Sequence, residues 1–270
     1  MIVFPNAKIN LGLRILNKRS DGYHNIQSYM IPVNLCDALE IVPSPDEFSF
    51  SSSGLPFSGP DEDNLCVKAF RLVEKNYHIS PVRIHLHKII PIGSGLGGGS
   101  SDAAFALTLL RRLFDLKLCN NELEMMASML GSDCPFFIVN KPRLIEDTGK
   151  PTQKFLHLPT YHIVIVIPDV QVSTAWAYGI VKPNNEPLPA MEALINHEDN
   201  WPELLINDFE GPVFKHYPVL AEIKETLYRS GAFYASMSGS GSAVFGLFRE
   251  LPDVTGLFPA CFVWQGTTGE

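Results

Sequence analysis

The N-terminal part of the chain alternates apolar and polar residues with a period of two. Between residues 9 and 16, Ile9, Leu11 and Leu13 fall on one face and Asn10 falls on the other. This alternation predicts a half-buried strand. Further strands are predicted where the alternation or a β-branched run recurs, and helices where apolar residues recur every three to four positions. The predicted strands span 26–33, 37–42, 48–52, 82–90, 162–167, 232–237, 243–248 and 261–264, and the main predicted helices 64–77, 101–114, 121–130 and 218–230.

The middle of the chain, residues 140–160, shows little periodicity and contains three prolines and a glycine. We therefore predict a domain boundary in this stretch, which divides the chain into domains 1–155 and 156–270. A short helix is expected in the C-terminal tail, before the last strand. Strands precede and alternate with helices without the regular spacing of βαβ units, so the predicted fold class is α+β in two layers.

A glycine-rich run lies between a predicted strand and a predicted helix, with five glycines in the seven positions from 93 to 99. Glycine adopts positive φ and lets a ligand approach the backbone, so consecutive N–H groups can converge on an anion. The helix that follows adds its unpaired N–H groups and the positive end of its dipole. Its first serines can cap the helix or offer hydroxyls to phosphate or metal. The predicted polyphosphate contacts are Pro91, Ile92, Gly93, Ser94, Gly95, Leu96, Gly97, Gly98, Gly99, Ser100 and Ser101.

Two other nucleotide-binding motifs match this loop less well. Gly93, Gly95 and Gly98 match the dinucleotide-binding fingerprint in spacing, but that fingerprint needs an acidic residue at the end of a second strand, and Asp115 ends a helical pattern instead. The P-loop pattern requires a lysine, and residues 90–115 contain none. The alternative that the run binds no ligand, and is only a flexible linker or a tight strand–helix turn, stays open.

Composition and charge narrow the class of protein. The chain is 46% hydrophobic and 19% charged, as expected for a globular protein. Its net charge of −8 argues against a nucleic-acid binder. The sequence contains no apolar run long enough to cross a membrane, and five scattered cysteines predict neither a disulfide framework nor a metal site. We expect a cytoplasmic protein without nucleic-acid or membrane partners; the sequence leaves the oligomeric state open.

Three segments, in this order along the chain, resemble the GHMP kinases. They are residues 5–11, 91–104 and 237–246. Their order and the chain length extend the resemblance over essentially the whole sequence. Residues 21–24 and 131–137, with 172–178, further resemble the member of the family whose substrate is the cytidine diphosphate ester of methylerythritol.

The resemblance implies a two-domain α+β architecture, with a ribosomal protein S5 domain 2-like N-terminal domain and a ferredoxin-like C-terminal domain. It implies ATP and Mg²⁺ as cofactors. The implied reaction transfers the ATP γ-phosphoryl group to the 2-hydroxyl of the ester, in the non-mevalonate route to isoprenoid precursors.

The resemblance also implies residue roles. Lys8 and Asp133 correspond to the catalytic residues: the ammonium of Lys8 would hold Asp133 ionised, and Asp133 would act as the base. Asn64 and Leu65 would lie near the adenine, although Asn64 is equally well explained as a helix N-cap. No protein metal ligands are indicated, with Ser101 the one hydroxyl expected near Mg²⁺. The implied substrate-side residues are Asn10, Tyr23, His24, Thr174, Tyr178, Gly239 and Ser240.

Two alternatives stay open within this resemblance. The chain could be another small-molecule kinase of the family, acting on homoserine or mevalonate, or a non-catalytic binding protein on the same fold. A dinucleotide-dependent oxidoreductase is a more distant third.

Overall fold

The computed structural model describes residues 1–57, 59–191, 194–195 and 197–269. The chain divides into two compact units, and each of them is built from separate stretches of sequence. The first unit comprises Met1–Ala7, Leu35–Ile92 and Gly97–Asn140, and the second comprises Lys8–Asn34, Gly93–Leu96 and Lys141–Glu270. These units divide the chain differently from the two consecutive domains that the sequence predicts, and the domain boundary after residue 155 stays a prediction.

Helices and strands alternate irregularly along the chain, and the predicted α+β class is confirmed. The strands are β1 (Ile2–Val3), β2 (Asn6–Lys18), β3 (His24–Cys36), β4 (Ala38–Pro43), β5 (Ser49–Gly54), β6 (Val82–Lys88), β7 (Arg143–Glu146), β8 (Lys150–Phe155), β9 (His162–Ile167), β10 (Tyr234–Met237), β11 (Val244–Phe248) and β12 (Phe262–Thr267). The α-helices are α1 (Leu65–Tyr77), α2 (Gly98–Leu113), α3 (Asn120–Ser128), α4 (Cys134–Val139), α5 (Thr174–Ile180), α6 (Trp201–Leu204), α7 (Glu210–His216) and α8 (Pro218–Arg229), and Asp61–Asp63 and Glu198–Asn200 form 3₁₀ turns. None of the helices in the described part of the chain combines the length and apolar character that a membrane span requires.

The first unit contains a four-stranded sheet in the order β1-β4-β6-β5, in which β5 runs parallel to β6 and the other pairs are antiparallel. Alternate residues of β6 are buried, and they pack with the apolar stripes of α1 and α2. Strand β6 ends shortly before the glycine-rich run, and α2 begins within it. This core therefore fixes a strand on one side of the loop and a helix on the other.

The second unit holds a sheet in the order β2-β3-β7-β8. The hairpin of β7 and β8 falls in the stretch 140–160, where the sequence pattern indicates no strand. Strand β8 lies at the edge of the sheet and is largely exposed, so its residues show no apolar alternation. The strand is therefore defined by pairing with β7 and leaves no local signal in the sequence.

A second sheet of the same unit has the order β10-β11-β9-β12, with every pair antiparallel. Numbered from β9, this is strand order 2-3-1-4, the arrangement of a ferredoxin-like sheet. Helix α8 packs on β10 and β11, and residues of the helix and of both strands belong to one apolar core.

The prediction of a short helix before the last strand is wrong. Residues 251–261 form turns, because Pro252 and Pro259 interrupt helical hydrogen bonding and Gly256 adopts positive φ.

Candidate active site

Lys8 lies in β2 and is almost fully buried, with 2% of its surface exposed. Its backbone N–H donates to the carbonyl of Leu96 at 2.9 Å. Its ammonium donates to Asn10 Oδ1 at 2.7 Å and to the carbonyl oxygen of Gly95 at 2.8 Å. Strand β2 is therefore buried on both faces, which corrects the prediction of a half-buried strand. The polar face is tolerated inside the protein because its side chains are hydrogen-bonded.

A chain of hydrogen bonds holds the lysine partner Asn10 in place. The Asn10 amide donates from Nδ2 to Ser28 Oγ at 2.7 Å, and Ser28 Oγ donates to the carbonyl of Gly12 at 2.7 Å. Asn10 and Ser28 are both buried. The substrate contact predicted for Asn10 stays a prediction, and the structure adds a second role, because this residue orients the Lys8 ammonium.

Replacing Ser28 with alanine is expected to lower kcat about tenfold, because the Asn10 amide then loses a buried acceptor worth roughly 1–3 kcal/mol and no longer holds Lys8 in one orientation. Steady-state kinetics of Ser28→Ala in the wild-type and Lys8→Met backgrounds form the test. If Ser28 acts through Lys8, the second background loses the effect. An equal decrease in both backgrounds would contradict this role.

The two glycine-serine segments of the sequence meet within the second unit. Gly95 has φ +82, and a Cβ atom there would lie 2.2 Å from the carbonyl oxygen of Ser238. Ser238 Oγ donates to the Gly95 carbonyl at 3.0 Å, and Ala243 N–H donates to the carbonyl of Ser94 at 2.9 Å. Only glycine fits at position 95, so the close approach of the two loops depends on it.

Asn207 fixes the second of these loops. Its buried amide donates to the carbonyls of Met237 at 2.8 Å and Gly239 at 2.9 Å, and its Oδ1 accepts from the N–H of Phe209. Sequence analysis identified neither Asn207 nor Ser28. Ser28 follows Gln27 in a strand and Asn207 precedes Asp208, and their hydrogen-bond partners in the site are distant in sequence, so no local spacing marks them.

The predicted substrate-side residues form two contacts in the second unit. The ring of His24 stacks on Tyr178 with 5.2 Å between centroids, and Tyr178 meets Phe209 edge-on at 4.9 Å. The hydroxyl groups of Thr174 and Ser240 lie 3.0 Å apart. Burial, with the charge of Lys18, lowers the pKa of His24, so its ring is neutral near pH 7 and carries one donor and one acceptor.

Tyr23, which precedes His24, is 68% exposed. The exposed ring of Tyr23 and the His24–Tyr178 stack supply the aromatic surfaces that a planar base requires.

In the first unit, α2 begins at Gly98 with Gly97 as its N-cap, and no side chain caps it. The capping expected from Ser100 and Ser101 is wrong, since both residues lie inside the first turns of the helix. A helix start that lacks a side-chain cap leaves N–H groups available to an anion. Ser101 Oγ is buried and makes no hydrogen bond to any residue that the structure describes.

The turn that carries Asp133 lies beside the start of α2. A Cβ atom on Gly131 would lie 3.2 Å from Cys134 Sγ and 3.8 Å from Ser100 Oγ. Burial raises the pKa of the Cys134 thiol to about 12, and a hydrogen bond with Ser100 partly opposes this shift. Asp133 is the N-cap residue of α4, but its side chain makes no capping hydrogen bond.

Asn64 is the N-cap of α1, and its Oδ1 accepts from the N–H of Cys66 at 2.9 Å. The following Leu65 lies next to the loop, since its Cδ1 would be 3.7 Å from a Cβ atom on Gly99. The adenine contacts predicted for Asn64 and Leu65 stay predictions. In total, the first unit brings together 97–101, Leu65 and the Asp133 turn, and the second brings together Lys8, Asn10, 94–96 and 238–240.

Comparisons with known proteins identify the family to which the chain belongs. The family models described as GHMP kinases N terminal domain and GHMP kinases C terminal match residues 64–141 and 190–262. The chain belongs to the GHMP kinases, a family of ATP-dependent small-molecule kinases.

Within that family, the chain is 52% identical over 253 residues to a Bacteroides thetaiotaomicron protein named 4-diphosphocytidyl-2-C-methyl-D-erythritol kinase, an alignment that covers 92% of each chain. A crystal structure of 4-(cytidine 5'-diphospho)-2C-methyl-D-erythritol kinase superposes with a TM-score of 0.86 at 34% identity, covering 100% of both chains. The Methanococcus jannaschii mevalonate kinase has the same fold, with a TM-score of 0.73 at 16% identity over 98% of this chain and 97% of that one.

Proposed function

We propose that this chain transfers the γ-phosphoryl group of ATP to the 2-hydroxyl of 4-diphosphocytidyl-2-C-methyl-D-erythritol, a step of the non-mevalonate route to isoprenoid precursors. The observation that carries the proposal is the 52% identity to a kinase named for this substrate, over nearly the whole length of both chains. The site supports it, because the start of α2 has no side-chain cap and could bind phosphate, and the stacked rings of His24 and Tyr178 could bind a base.

The roles of Lys8 and Asp133 follow from phosphoryl-transfer chemistry. The transition state is loose, so catalysis comes mainly from positioning and from neutralising charge, and the hydroxyl proton moves late. Asp133 accepts that proton, and the ammonium of Lys8 stabilises negative charge at the acceptor and the γ-phosphoryl group. Supporting the role of Lys8, its buried ammonium is held by hydrogen bonds to Asn10 Oδ1 and the Gly95 carbonyl.

Mg²⁺ belongs to the proposal as the partner of ATP. Among the described residues, no three His, Cys, Asp or Glu side chains gather into a metal site. The available donor is the unbonded hydroxyl of Ser101 in the first turns of α2. A single protein hydroxyl fits Mg²⁺, because this ion keeps several waters and binds largely through substrate phosphates. When bound, the ion neutralises charge on the phosphates, and Ser101 would help to hold it.

The proposal extends to domain organisation and cellular location. Residues 1–155 would form the ATP-binding domain and residues 156–270 the C-terminal domain, in agreement with the order in which the two family models match the chain. A cytoplasmic location is supported by the five cysteines, which are all free thiols, and by the use of ATP.

The direct test is an ADP-release assay with ATP, Mg²⁺ and one candidate alcohol at a time. We expect activity with the cytidine diphosphate ester and none with mevalonate or homoserine. Activity on another alcohol alone would contradict the substrate assignment and keep the family. A protein that binds ATP but phosphorylates none of the three would point to the non-catalytic alternative.

Replacing Tyr178 with leucine is expected to raise KM for the ester about tenfold and leave KM for ATP unchanged, because stacking on a base contributes roughly 1–3 kcal/mol. Leucine keeps apolar contact with Phe209 but has no aromatic face. Tyr178→Phe is the matched control and should behave like the wild type. An equal rise in both KM values for Tyr178→Leu would indicate a structural defect and contradict the stacking role.

A further inference from the structure

Three ionisable side chains are buried together beneath the first turns of α2. They are Asp37, Lys88 and Asp102, and each is at most 5% exposed. The ammonium of Lys88 donates to Asp37 Oδ2 and, at 2.8 Å, to Asp102 Oδ2. All three residues belong to the first unit, and none was identified from the sequence. We refer to them as the Asp37–Lys88–Asp102 cluster.

The cluster connects the chain that enters the glycine-rich run to the chain that leaves it. Asp37 Oδ1 accepts from the N–H groups of Ile89 at 2.5 Å and Ile90 at 2.8 Å, the two residues that follow β6. Asp102 lies on α2, which begins within the run at Gly98. The Lys88 ammonium therefore joins the end of β6 to the start of α2.

Gly98 allows this connection. A Cβ atom at position 98 would lie 2.9 Å from Lys88 Nζ and 2.9 Å from Ile90 Cγ2. The first residue of α2 is thus packed directly against the ammonium, and any side chain there would push the helix away from it. The placement of the helix start depends on both the glycine and the cluster.

Stability alone does not account for this arrangement. Two carboxylates share one ammonium away from water, and burial, together with the Asp37 charge, raises the pKa of Asp102 to about 7 despite the attraction of Lys88. Asp102 Oδ1 makes no hydrogen bond to any part of the chain that the structure describes. Apolar residues of similar volume are often at least as stabilising as buried ion pairs. What charged groups add is a fixed geometry between the elements that they join.

We propose that Asp37, Lys88 and Asp102 are positioning residues for ATP, which hold the first turn of α2 against the end of β6 so that its N–H groups converge on the phosphates. The inference rests on the use of ATP in the proposed function and is independent of the alcohol substrate. Loosening the cluster lets the helix start move, and the affinity for ATP falls while the affinity for the ester does not.

The test uses Asp102→Ala and Asp102→Asn in the full-length protein, with binding of a non-hydrolysable ATP analogue and Mg²⁺ measured by calorimetry without the ester. Alanine removes the link from α2 to Lys88, and we expect the Kd to rise at least tenfold, about 1.4 kcal/mol. Asparagine keeps an acceptor for Lys88 and should restore the Kd to within about threefold of the wild-type value. The KM for the ester should stay unchanged in both variants.

Leu110→Ala is the matched control, because Leu110 is a fully buried residue farther along α2 and its truncation destabilises the same helix. We expect it to lower the unfolding midpoint without changing the Kd of the analogue. If Asp102→Ala resembles Leu110→Ala, with lower stability and unchanged analogue binding, the inference is overturned. Equal losses for alanine and asparagine would overturn it as well.

Should Asp102→Ala fail to fold, the triple variant Asp37→Asn/Lys88→Met/Asp102→Leu replaces the link with apolar contact and leaves no buried charge unpaired, while asparagine at position 37 keeps an acceptor for the N–H groups of Ile89 and Ile90. This variant should fold and bind the analogue at least tenfold more weakly, about 1.4 kcal/mol. Binding of wild-type strength by the folded triple variant would overturn the inference. Absence of analogue binding by the wild type is a separate result, which contradicts the proposed use of ATP rather than the role of the cluster.

Discussion

Asp133→Asn is expected to abolish turnover and leave ATP binding nearly intact. Asparagine preserves the size of the side chain at the start of α4 but cannot accept the hydroxyl proton. Because Asp133 makes no capping hydrogen bond, the substitution should leave the helix in place. Loss of a positioned base costs roughly 10²–10⁴ in kcat. Single-turnover rates and ATP analogue titrations separate the two effects.

The matched control is Asp115→Asn. Asp115 lies in the same unit, is exposed, and pairs only with the exposed Lys117 in the described ion pairs. It also adopts positive φ, which asparagine tolerates. Its replacement removes the same charge and should leave kcat unchanged. If Asp133→Asn keeps more than about a tenth of the wild-type kcat, a loss below ~1.4 kcal/mol, the assignment of Asp133 as the base fails.

Lys8→Met is expected to lower kcat by roughly 10²–10³, because the variant loses the fixed positive charge that the proposed mechanism places at the developing transition-state charge. Methionine has a similar length, so β2 should keep its packing. The cost in stability comes from Asn10 Oδ1 and the Gly95 carbonyl, which each lose a buried donor but keep a contact with the Ser238 hydroxyl, so the loss is about 1 kcal/mol each. Kinetics and thermal unfolding, measured together, test both expectations.

Lys154→Met is the control for Lys8→Met, since Lys154 is an exposed residue of β8 in the same unit. It should change neither kcat nor the unfolding midpoint. Lys8→Arg should not restore activity, because a planar guanidinium does not fit the buried space of an ammonium between two fixed acceptors. A Lys8→Met variant with kcat within tenfold of wild type would mean that the ammonium serves folding rather than catalysis.

The parts of the fold that could be predicted are those with a local pattern. Helix α1 was predicted at 64–77 and is found at Leu65–Tyr77, and strand β9 was predicted at 162–167 and is found at His162–Ile167. A helix that packs on one face repeats its apolar residues every three to four positions, and a fully buried strand is an uninterrupted β-branched run. The edge strand β8 has neither pattern, and it was missed.

The residues of the candidate site also differ in whether a local sequence pattern reveals them. The glycine-rich run and the segments around Lys8 and Asp133 are contiguous motifs, so their residue types and spacing are visible in the sequence. Ser28, which holds Asn10 beside Lys8, and Asn207, which holds the loop around Gly239, have these partners far along the chain. Neither residue differs locally from an ordinary polar residue of a strand or turn.

The sequence by itself therefore determined the family, the α+β class, the loop proposed to bind phosphate and the residues proposed for catalysis. Only the tertiary structure decided that Lys8 is buried on a fully covered strand, that Gly97 rather than a serine caps α2, and that Asp37, Lys88 and Asp102 meet beneath it. The physical reason is that burial and hydrogen bonding depend on groups that folding brings together from distant positions. The two partners of Lys88 are 14 and 51 positions away from it in the sequence. Periodicity along the chain records which face of an element is apolar, but not which distant group satisfies a buried charge.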